Sequence, residues 1–401
     1  MKKLRVGVWL YGKLSPTLGG AYGYYNELAN ALNTHSFKDA EIVFLSDGKI
    51  YSDDFDCKKI LWKPRRSKIL KFFLKIVSSF DPFGKKLRKK LEEAVDKEIS
   101  KLKKEFYQYA DVVYYLTQSC AYPDVPYIYT LWDLGHYNSY AFPEFTMNGN
   151  FEKRKKDNER LAHHALMIFT ESETGKKQCE KYLHINEERI KVIPLFPSGV
   201  IDKECIAKKP EKMEKDDVFI HYPAQYWAHK NHYNLMVAMS SVIKNFPEIK
   251  LVLTGSDKGN KEYITKIITE LKLEKNILDL GFVSLEEMRW LYENSHGLVF
   301  PSLLGPTNMP PLEAGTLGCP VACTNLPGHI EQLGEYGYYF NALDPNDIAK
   351  QVIGMVTDKK NGVEKKYSTK FTVNNAIRSL DEAFTKLHHI RFCWGENDNI
   401  T

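Results

Sequence analysis

Pro301-Ser302-Leu303-Leu304-Gly305-Pro306-Thr307-Asn308-Met309-Pro310-Pro311-Leu312-Glu313-Ala314-Gly315-Thr316-Leu317-Gly318-Cys319-Pro320 lies between two short apolar runs, Gly297-Leu298-Val299-Phe300 and Val321-Ala322-Cys323. It reads as strand, loop, short helix, strand. Gly305, Pro306 and Asn308 are turn residues, and Pro310-Pro311 suit the first positions of a helix, where a missing N–H costs nothing and φ is already set. Gly318 and Pro320 stop that helix about two turns later. A helix that starts just past the carboxyl end of a strand turns unpaired N–H groups and the positive end of its dipole toward a crevice, and phosphate is the natural guest. Glu313 falls in the first turn. Its charge suits the dipole but opposes a phosphate held close, so it is better placed to accept hydrogen bonds from a neutral polyol such as a ribose.

The same strand-and-helix alternation extends in both directions. Upstream, strand-like runs rich in Val, Ile, Tyr and Phe recur at Leu4 to Leu10, Glu41 to Leu45, Asp111 to Leu116, Tyr127 to Leu131, Ala165 to Thr170 and Ile190 to Leu195. Many are apolar on both faces and most are separated by helix-length segments, which predicts parallel sheet covered on both sides. The polar stretch Lys203 to Asp217 then reads as a linker. Beyond it the design repeats with Val218 to Pro223, Lys250 to Thr254, Asn276 to Phe282, Gly297 to Pro301, Pro320 to Thr324 and Tyr336 to Phe340. Helical spacing marks Gly20 to Leu32, Phe151 to His164, Thr174 to Tyr182, Asn231 to Lys244, Lys261 to Leu273, Leu285 to Asn294 and Val373 to Leu387, with Ser284 and Glu287 forming a capping box. A chain of 401 residues exceeds what one hydrophobic core spans. We therefore divide it into a first domain over residues 1–200, a second over 201–372, and a C-terminal helix and tail over 373–401 of the kind that packs back on the first domain. Between the two domains there should be a cleft.

Seven cysteines, an odd number scattered through the chain, argue against a disulfide framework and for a reducing compartment. Cys319 and Cys323 have no second pair at zinc-ligand spacing. The chain has no long apolar span, and its start reads as a polar lead into a buried strand rather than a signal peptide. Charge is unevenly spread: residues 58–104 carry 17 Lys and Arg against 5 Asp and Glu, a net +12 in a chain whose formal charge is +5, which leaves the rest near −7. Interleaved with Trp62, Ile69, Leu70, Phe72, Phe73, Leu74, Ile76, Val77, Phe80 and Phe83, these charges read as an element for an anionic membrane surface. The competing reading is a solvated helix whose apolar face packs on its own domain. Nucleic acid is disfavoured because no recognition module accompanies the patch.

Other features could carry chemistry. Gly19-Gly20-Ala21-Tyr22-Gly23 opens the first helix, where backbone amides could approach a phosphate or a sugar, but it lacks the dinucleotide spacing. Lys230, between the strand Val218 to Pro223 and the helix that follows, can neutralise a diphosphate. His229 and His232 beside it read as loop and cap residues. Trp132-Asp133-Leu134-Gly135-His136 follows another strand, so Asp133 and His136 are candidates to bind hydroxyls or take a proton, against the plainer reading of a turn Asp with a satisfied His. Asp54-Phe55-Asp56 spells a metal-holding D-x-D but sits in a polar turn, so no metal site is assigned.

Taken together, Val299-Phe300-Pro301-Ser302, Pro310-Pro311-Leu312-Glu313-Ala314, Gly318-Cys319-Pro320-Val321 and Asp344-Pro345-Asn346-Asp347-Ile348-Ala349 resemble the family 4 glycosyltransferases, retaining enzymes of the GT-B fold. The likeness extends more loosely to Gly19-Gly20, Asp133-Leu134, Ser172-Glu173-Thr174, Lys230-Asn231 and Gly281-Phe282-Val283-Ser284. It implies an α/β chain of two Rossmann-like, doubly wound parallel-sheet domains facing a cleft. By the same likeness Glu313 is the second Glu of the family's E-x7-E and holds the ribose, and Lys230 with neighbouring Asn231 meets the diphosphate. Asn308 and Met309 offer backbone amides to the donor phosphate and sugar, and Gly19 and Gly20 close over the donor. Gly255 and Val283 fall on donor-side loops, Val283 in the one that meets the base. Three departures stand out: Gly305 replaces the first Glu of the motif, Gln225 replaces an Arg, and Trp132 replaces the His before Asp133. Pro306, Thr307 and Asn308 are left to recognise the donor sugar beside Gly305.

The resemblance implies retaining transfer of a sugar from a UDP-, GDP- or dTDP-linked donor to a hydroxyl of a glycan or lipid-linked glycan, in assembly of bacterial cell-surface polysaccharide such as O-antigen or capsule. It implies no metal and no cofactor, the nucleotide-sugar being substrate, and a cytoplasmic protein peripheral on the inner face of the membrane. Two alternatives remain: a catalytically inactive nucleotide- or glycan-binding protein of the same fold, and a sugar-nucleotide epimerase, which would make product from donor alone.

Overall fold

The computed structural model describes residues 2–11, 20–48, 59–62, 85–138, 141–197 and 199–393. Thirteen strands among them form two sheets. The first contains β1 (Leu4–Trp9), β2 (Ala40–Ser46), β3 (Lys59–Leu61), β4 (Val112–Tyr115), β5 (Tyr127–Thr130), β6 (Met167–Thr170) and β7 (Ile190–Val192), in the order β3-β2-β1-β4-β5-β6-β7. The second contains β8 (Phe219–Pro223), β9 (Lys250–Thr254), β10 (Ile277–Gly281), β11 (Leu298–Phe300), β12 (Val321–Thr324) and β13 (Gly337–Phe340), in the order β10-β9-β8-β11-β12-β13. Every pairing is parallel, for example Val6 with Ile42 and with Val112, and Leu298 with Val321. Each sheet has an apolar cluster on both faces, which is why β4, β5, β6 and β8 are buried at every residue.

In both sheets the strand order reverses once, between β1 and β4 in the first and between β8 and β11 in the second. Helices leave such a reversal on opposite faces, so the loops at the carboxyl ends part there and leave a crevice. The loop after β8 contains Lys230, and the loop after β11 runs into the helix Met309–Thr316. The two candidate donor elements thus flank one crevice.

The stretch 203–217 is a docked connection rather than a free linker. Met213 is fully buried with Phe219, Val252 and Leu291, and the Lys208 N–H donates to Glu286 O at 3.0 Å. The sequence misleads here because one Met among many charges carries no periodic signal. In the basic segment, residues 63–84 fall outside the described residues, as do Gly19 and Asp54-Phe55-Asp56. The helix Lys85–Phe106 tucks Leu102 and Phe106 into the first domain's core and leaves Lys89, Lys90, Lys97, Lys101 and Lys104 exposed. For that helix the packed-face reading holds. No helix among the described residues is long and apolar enough to cross a membrane.

The last helix and Glu331 both reach from the C-terminal half onto the first domain. The last helix, Val373–Phe392, capped by Thr372 Oγ1 on the Asn375 N–H, lies on the first domain against the helix Gly20–Thr34 and strands β1, β2 and β7. Its Ala376, Leu380 and Phe384 are buried with Leu4, Val6 and Phe37, and the Phe384 ring meets Phe37 edge-on at 5.2 Å. The second feature is Glu331, on the helix Pro327–Leu333 of the second domain. It accepts hydrogen bonds from Glu173 N, Thr174 N and Thr174 Oγ1, all at 2.9 Å, so it caps the start of the helix Glu173–Leu183 in the other domain. These bonds hold its carboxyl below the usual range despite the cost of burial.

Phe384→Ala should destabilise the first domain by about 3–5 kcal/mol, the usual cost of removing a buried ring, as read from urea unfolding. Glu331→Ala leaves two amides and a hydroxyl uncapped across the domain boundary. It should enlarge the radius of gyration in solution scattering, whereas an unchanged value would mean the clasp does not hold the domains together.

Candidate active site

The crevice at the β8/β11 reversal opens into a cavity of about 350 Å³ shared by both domains. The second domain contributes His229, Lys230 and the loop Leu304-Gly305-Pro306-Thr307-Asn308-Met309. The first contributes Tyr24, Trp132, Asp133, Phe145, Glu171 and Leu195.

Lys230 is the cation of the site. Asn231, in the left-handed conformation with φ 59°, turns the chain into the next helix and donates through Nδ2 to Pro301 O at 3.2 Å and Ala342 O at 2.7 Å. This ties the Lys230 turn to the loop after β11. Asn231 is therefore a buried anchor that presents Lys230, with its side-chain amide already spent on backbone carbonyls. The Lys230 ammonium lies 3.5 Å from Ser302 Oγ, 3.4 Å from Asn308 Oδ1 and 5.2 Å from the Phe300 ring centre. Among the described residues no carboxylate lies within ion-pair distance of it, and burial lowers its pKa to about 8.

The loop after β11 is rigidly specified. Gly305 has φ 118°, and a Cβ there would meet Asn308 Nδ2 at 2.5 Å and Thr307 O at 2.9 Å. Gly328 abuts the Pro306 carbonyl so closely that no side chain fits between them. Gln332 clamps Asn308 from both sides, accepting from Asn308 N at 3.1 Å and donating to Asn308 O at 2.9 Å, while Asn308 Nδ2 meets His329 Nε2 at 2.8 Å. This corrects the expected role of the Asn308 amide, because that N–H is spent on Gln332. With Pro310 and Pro311 having no N–H, the helix start offers few backbone donors, and positive charge comes from Lys230 and the helix dipole.

Glu313 lies outside the cavity wall. It is buried, and its Oε2 accepts from Tyr292 Oη at 2.7 Å. Burial raises its pKa to about 7, against the lowering effect of the Tyr292 bond. Gln225 Oε1 accepts from Trp227 Nε1 at 3.0 Å. Gly255 has φ 144°, with the Ala224 carbonyl 2.3 Å from where a Cβ would stand, which makes it a site of close backbone approach. Val283 packs at the edge of the Met213 cluster. None of these three lines the cavity, whereas Thr307, Asn308 and Met309 do. Gly20 opens the helix Gly20–Thr34.

On the facing wall, Asp133 accepts from Gly135 N at 3.0 Å and pairs with Arg154 at 3.1 Å. His136 does not reach the cavity. Its ring is fully buried beside Tyr137 and Phe151, neither nitrogen has a hydrogen-bond partner, and burial lowers its pKa to about 4. It is corrected here to a packed neutral core residue: in the sequence it looks like a loop histidine, but Gly135–Asn138 forms a short helical turn that folds the ring inward.

Sequence reasoning missed two groups. Glu144, on the turn Pro143–Thr146, accepts from His229 N at 3.1 Å and from His229 Nδ1, across the domain boundary. Burial raises the Glu144 pKa, but hydrogen bonds from its own backbone and from His229 outweigh it and hold the carboxyl ionised; burial and Lys230 lower His229 to about 4, so it donates as a neutral ring. The second is Glu171, at the end of β6, whose carboxyl is held well above its ordinary pKa by burial. Nothing local in either stretch signals a cleft residue. Among the described residues one cluster has donor atoms at metal-ligand separation, Asp39, His388 and His389, and none of the three lines the cavity.

Residues 202–371 match the family model described as Glycosyl transferases group 1. An O-antigen chain mannosyltransferase, RfbU of Salmonella typhimurium, is 28% identical over 181 residues, which is 44% of this chain and 47% of that protein. O-antigen chain mannosyltransferase B of Escherichia coli is 31% identical over 98 residues, 24% of this chain and 25% of its own length. The matched stretches thus span at most about half of these two relatives. Among solved structures, Anabaena HepE in complex with UDP superposes with a TM-score of 0.57 at 15% identity, covering 96% of this chain and all of that one. At such identity the likeness shows the fold, and it agrees with the two parallel sheets facing a shared cleft. The chain has the GT-B fold, and its residues 202–371 belong to the group 1 glycosyltransferases.

Proposed function

We propose that this protein is a retaining glycosyltransferase that moves a sugar from a nucleotide-sugar to a hydroxyl of a glycan or lipid-linked glycan. The observation that carries the proposal is Lys230: a half-buried ammonium on the cavity wall at a strand-order reversal, with no carboxylate within ion-pair distance among the described residues. A cation partly withdrawn from water and without a close ion-pair partner is placed to receive the opposite charge from a ligand. Departure of the leaving group in sugar transfer puts negative charge on a diphosphate, and a fixed cation beside a helix start stabilises that charge. The facing wall, with two carboxyls and three aromatic side chains, suits a polyol.

In the proposed reaction the bond from the sugar's anomeric carbon to the diphosphate oxygen breaks and a bond to the acceptor oxygen forms on the same face. The acceptor proton leaves to a phosphate oxygen of the departing nucleotide, so no protein base is required. Lys230 and the dipole of the helix Met309–Thr316 hold the diphosphate, and Glu313 holds the ribose. Asp133 contacts the acceptor. The mannosyltransferase names of the relatives support a hexose donor and a role in O-antigen-type surface polysaccharide.

Lys230→Met removes a charge that the fold holds at a cost. Because the folded pKa is depressed to about 8, the cost is fully present below that pH and fades as pH rises toward the ordinary lysine value. At pH 7 the variant should therefore melt at a higher temperature than wild type while losing affinity for UDP and GDP, measured by calorimetry. Unchanged affinity for both nucleotides would refute the assignment. Glu313 must ionise to accept two ribose hydroxyls. Nucleotide affinity should therefore rise between pH 6 and pH 7.5, through the Glu313 pKa of about 7, and Glu313→Gln should flatten that rise.

A further inference from the structure

We propose that Glu171 grips a hydroxyl of the acceptor sugar and so helps determine which acceptor is used, an inference that rests on the transferase reading above. Glu171 is 3% exposed yet lines the cavity. Its Oε1 accepts from Ser172 Oγ at 3.0 Å, and Ser172 Oγ in turn accepts from Gly175 N at 2.9 Å at the start of the helix Glu173–Leu183. A Cβ at Gly175 would stand 2.8 and 2.9 Å from the two carboxyl oxygens, so the helix start is hollowed to admit the group. One oxygen is thus seated in a built socket. The other, Oε2, is buried and among the described residues has no hydrogen-bond partner.

A buried polar atom left unmade costs about 1–3 kcal/mol, so an orphan on a ligand cavity points to a ligand that completes it. The surroundings specify that ligand's chemistry. Burial, with the nearby Asp133 and Glu331 charges, pushes the carboxyl's pKa well above its ordinary value and so favours the protonated form, which can donate one hydrogen bond and accept another. A hydroxyl does both in return, whereas an anion is disfavoured by Asp133 on the same wall. The same wall also presents Tyr24 and Trp132, packed edge to face at 6.1 Å, an apolar flank for a sugar's C–H face. Lys230, Thr307 and Asn308 stand opposite, on the second domain. The hydroxyl that Glu171 meets therefore belongs to the ligand of the first domain, the acceptor.

The test uses the full chain saturated with UDP or GDP and a panel of methyl glycosides of mannose, glucose, galactose and N-acetylglucosamine, followed by ligand-observed NMR. Glu171→Leu should weaken the bound glycoside by about tenfold or more, and Glu171→Gln, which keeps a donor and an acceptor, by no more than about threefold. Glu171→Asp draws the carboxyl back by one methylene and should weaken binding nearly as much as Leu, which keeps the test readable if the Leu variant does not fold. Nucleotide affinity should be the same in all three and in wild type. Equal glycoside affinity in wild type and Glu171→Asp overturns the proposal, as does a wild-type protein that binds UDP or GDP but no glycoside of the panel. A wild type that binds neither nucleotide sinks the transferase reading itself.

Discussion

A single lysine ammonium, Lys230, is held half-buried on the cavity wall with no carboxylate within ion-pair distance among the described residues, and much of the second domain serves to keep it there. The β8/β11 reversal opens the crevice, Asn231 bends the chain at its edge, and the Asn231 amide ties the bend to the loop after β11. Gln332, His329 and Gly328 then fix that loop from below. Each contact is ordinary by itself. Together they prevent the relaxation by which an unpaired buried charge would usually escape, through rotamer change or movement of the backbone toward solvent.

The first domain is fastened to this arrangement by two carboxylates that cross in opposite directions. Glu144 reaches from the first domain to His229, next to Lys230, and Glu331 reaches from the second domain to the helix that begins just after Glu171. The two clasps bracket the cavity, one beside the cation and the other behind the facing carboxyl. Closure and site assembly are therefore coupled: separating the domains releases the neighbours of Lys230 and of Glu171 at once. Both clasps are hydrogen-bonded charges at least partly withdrawn from water, where such bonds are stronger than at an open surface.

What could be read from the sequence follows from the range of each interaction. Strands such as Tyr127–Thr130 and Lys250–Thr254, the capping box at Ser284 and Glu287, and the Pro310-Pro311 helix start are decided by neighbours a few residues apart, and they are legible. Lys230, Thr307, Asn308 and Met309 are brought together by the resemblance, and all four line the same cavity. Glu331 meets residues 157 and 158 positions away, and Glu144 meets His229 across 85, so no local pattern encodes either. His136 fails for the opposite reason. Its local signal suggests a loop facing the cleft, but a single helical turn rotates the ring into the core.

The departures from the family pattern can be weighed by their packing. The left-handed φ of Gly305 and the nearness of Asn308 Nδ2 leave no place for a side chain there, so this loop is built around the glycine. Asn308 now occupies that space, and its Oδ1 is among the groups nearest Lys230. Gln225 is likewise engaged, in a bond to the Trp227 ring nitrogen, so the turn before Lys230 is stabilised by a neutral pair. The consequence is electrostatic. A site that relies on Lys230 depends steeply on that one cation, and the burial that lowers the Lys230 pKa also strengthens its attraction for a diphosphate once one enters. The partial burial that lowers the Lys230 pKa is thereby what strengthens the one lysine.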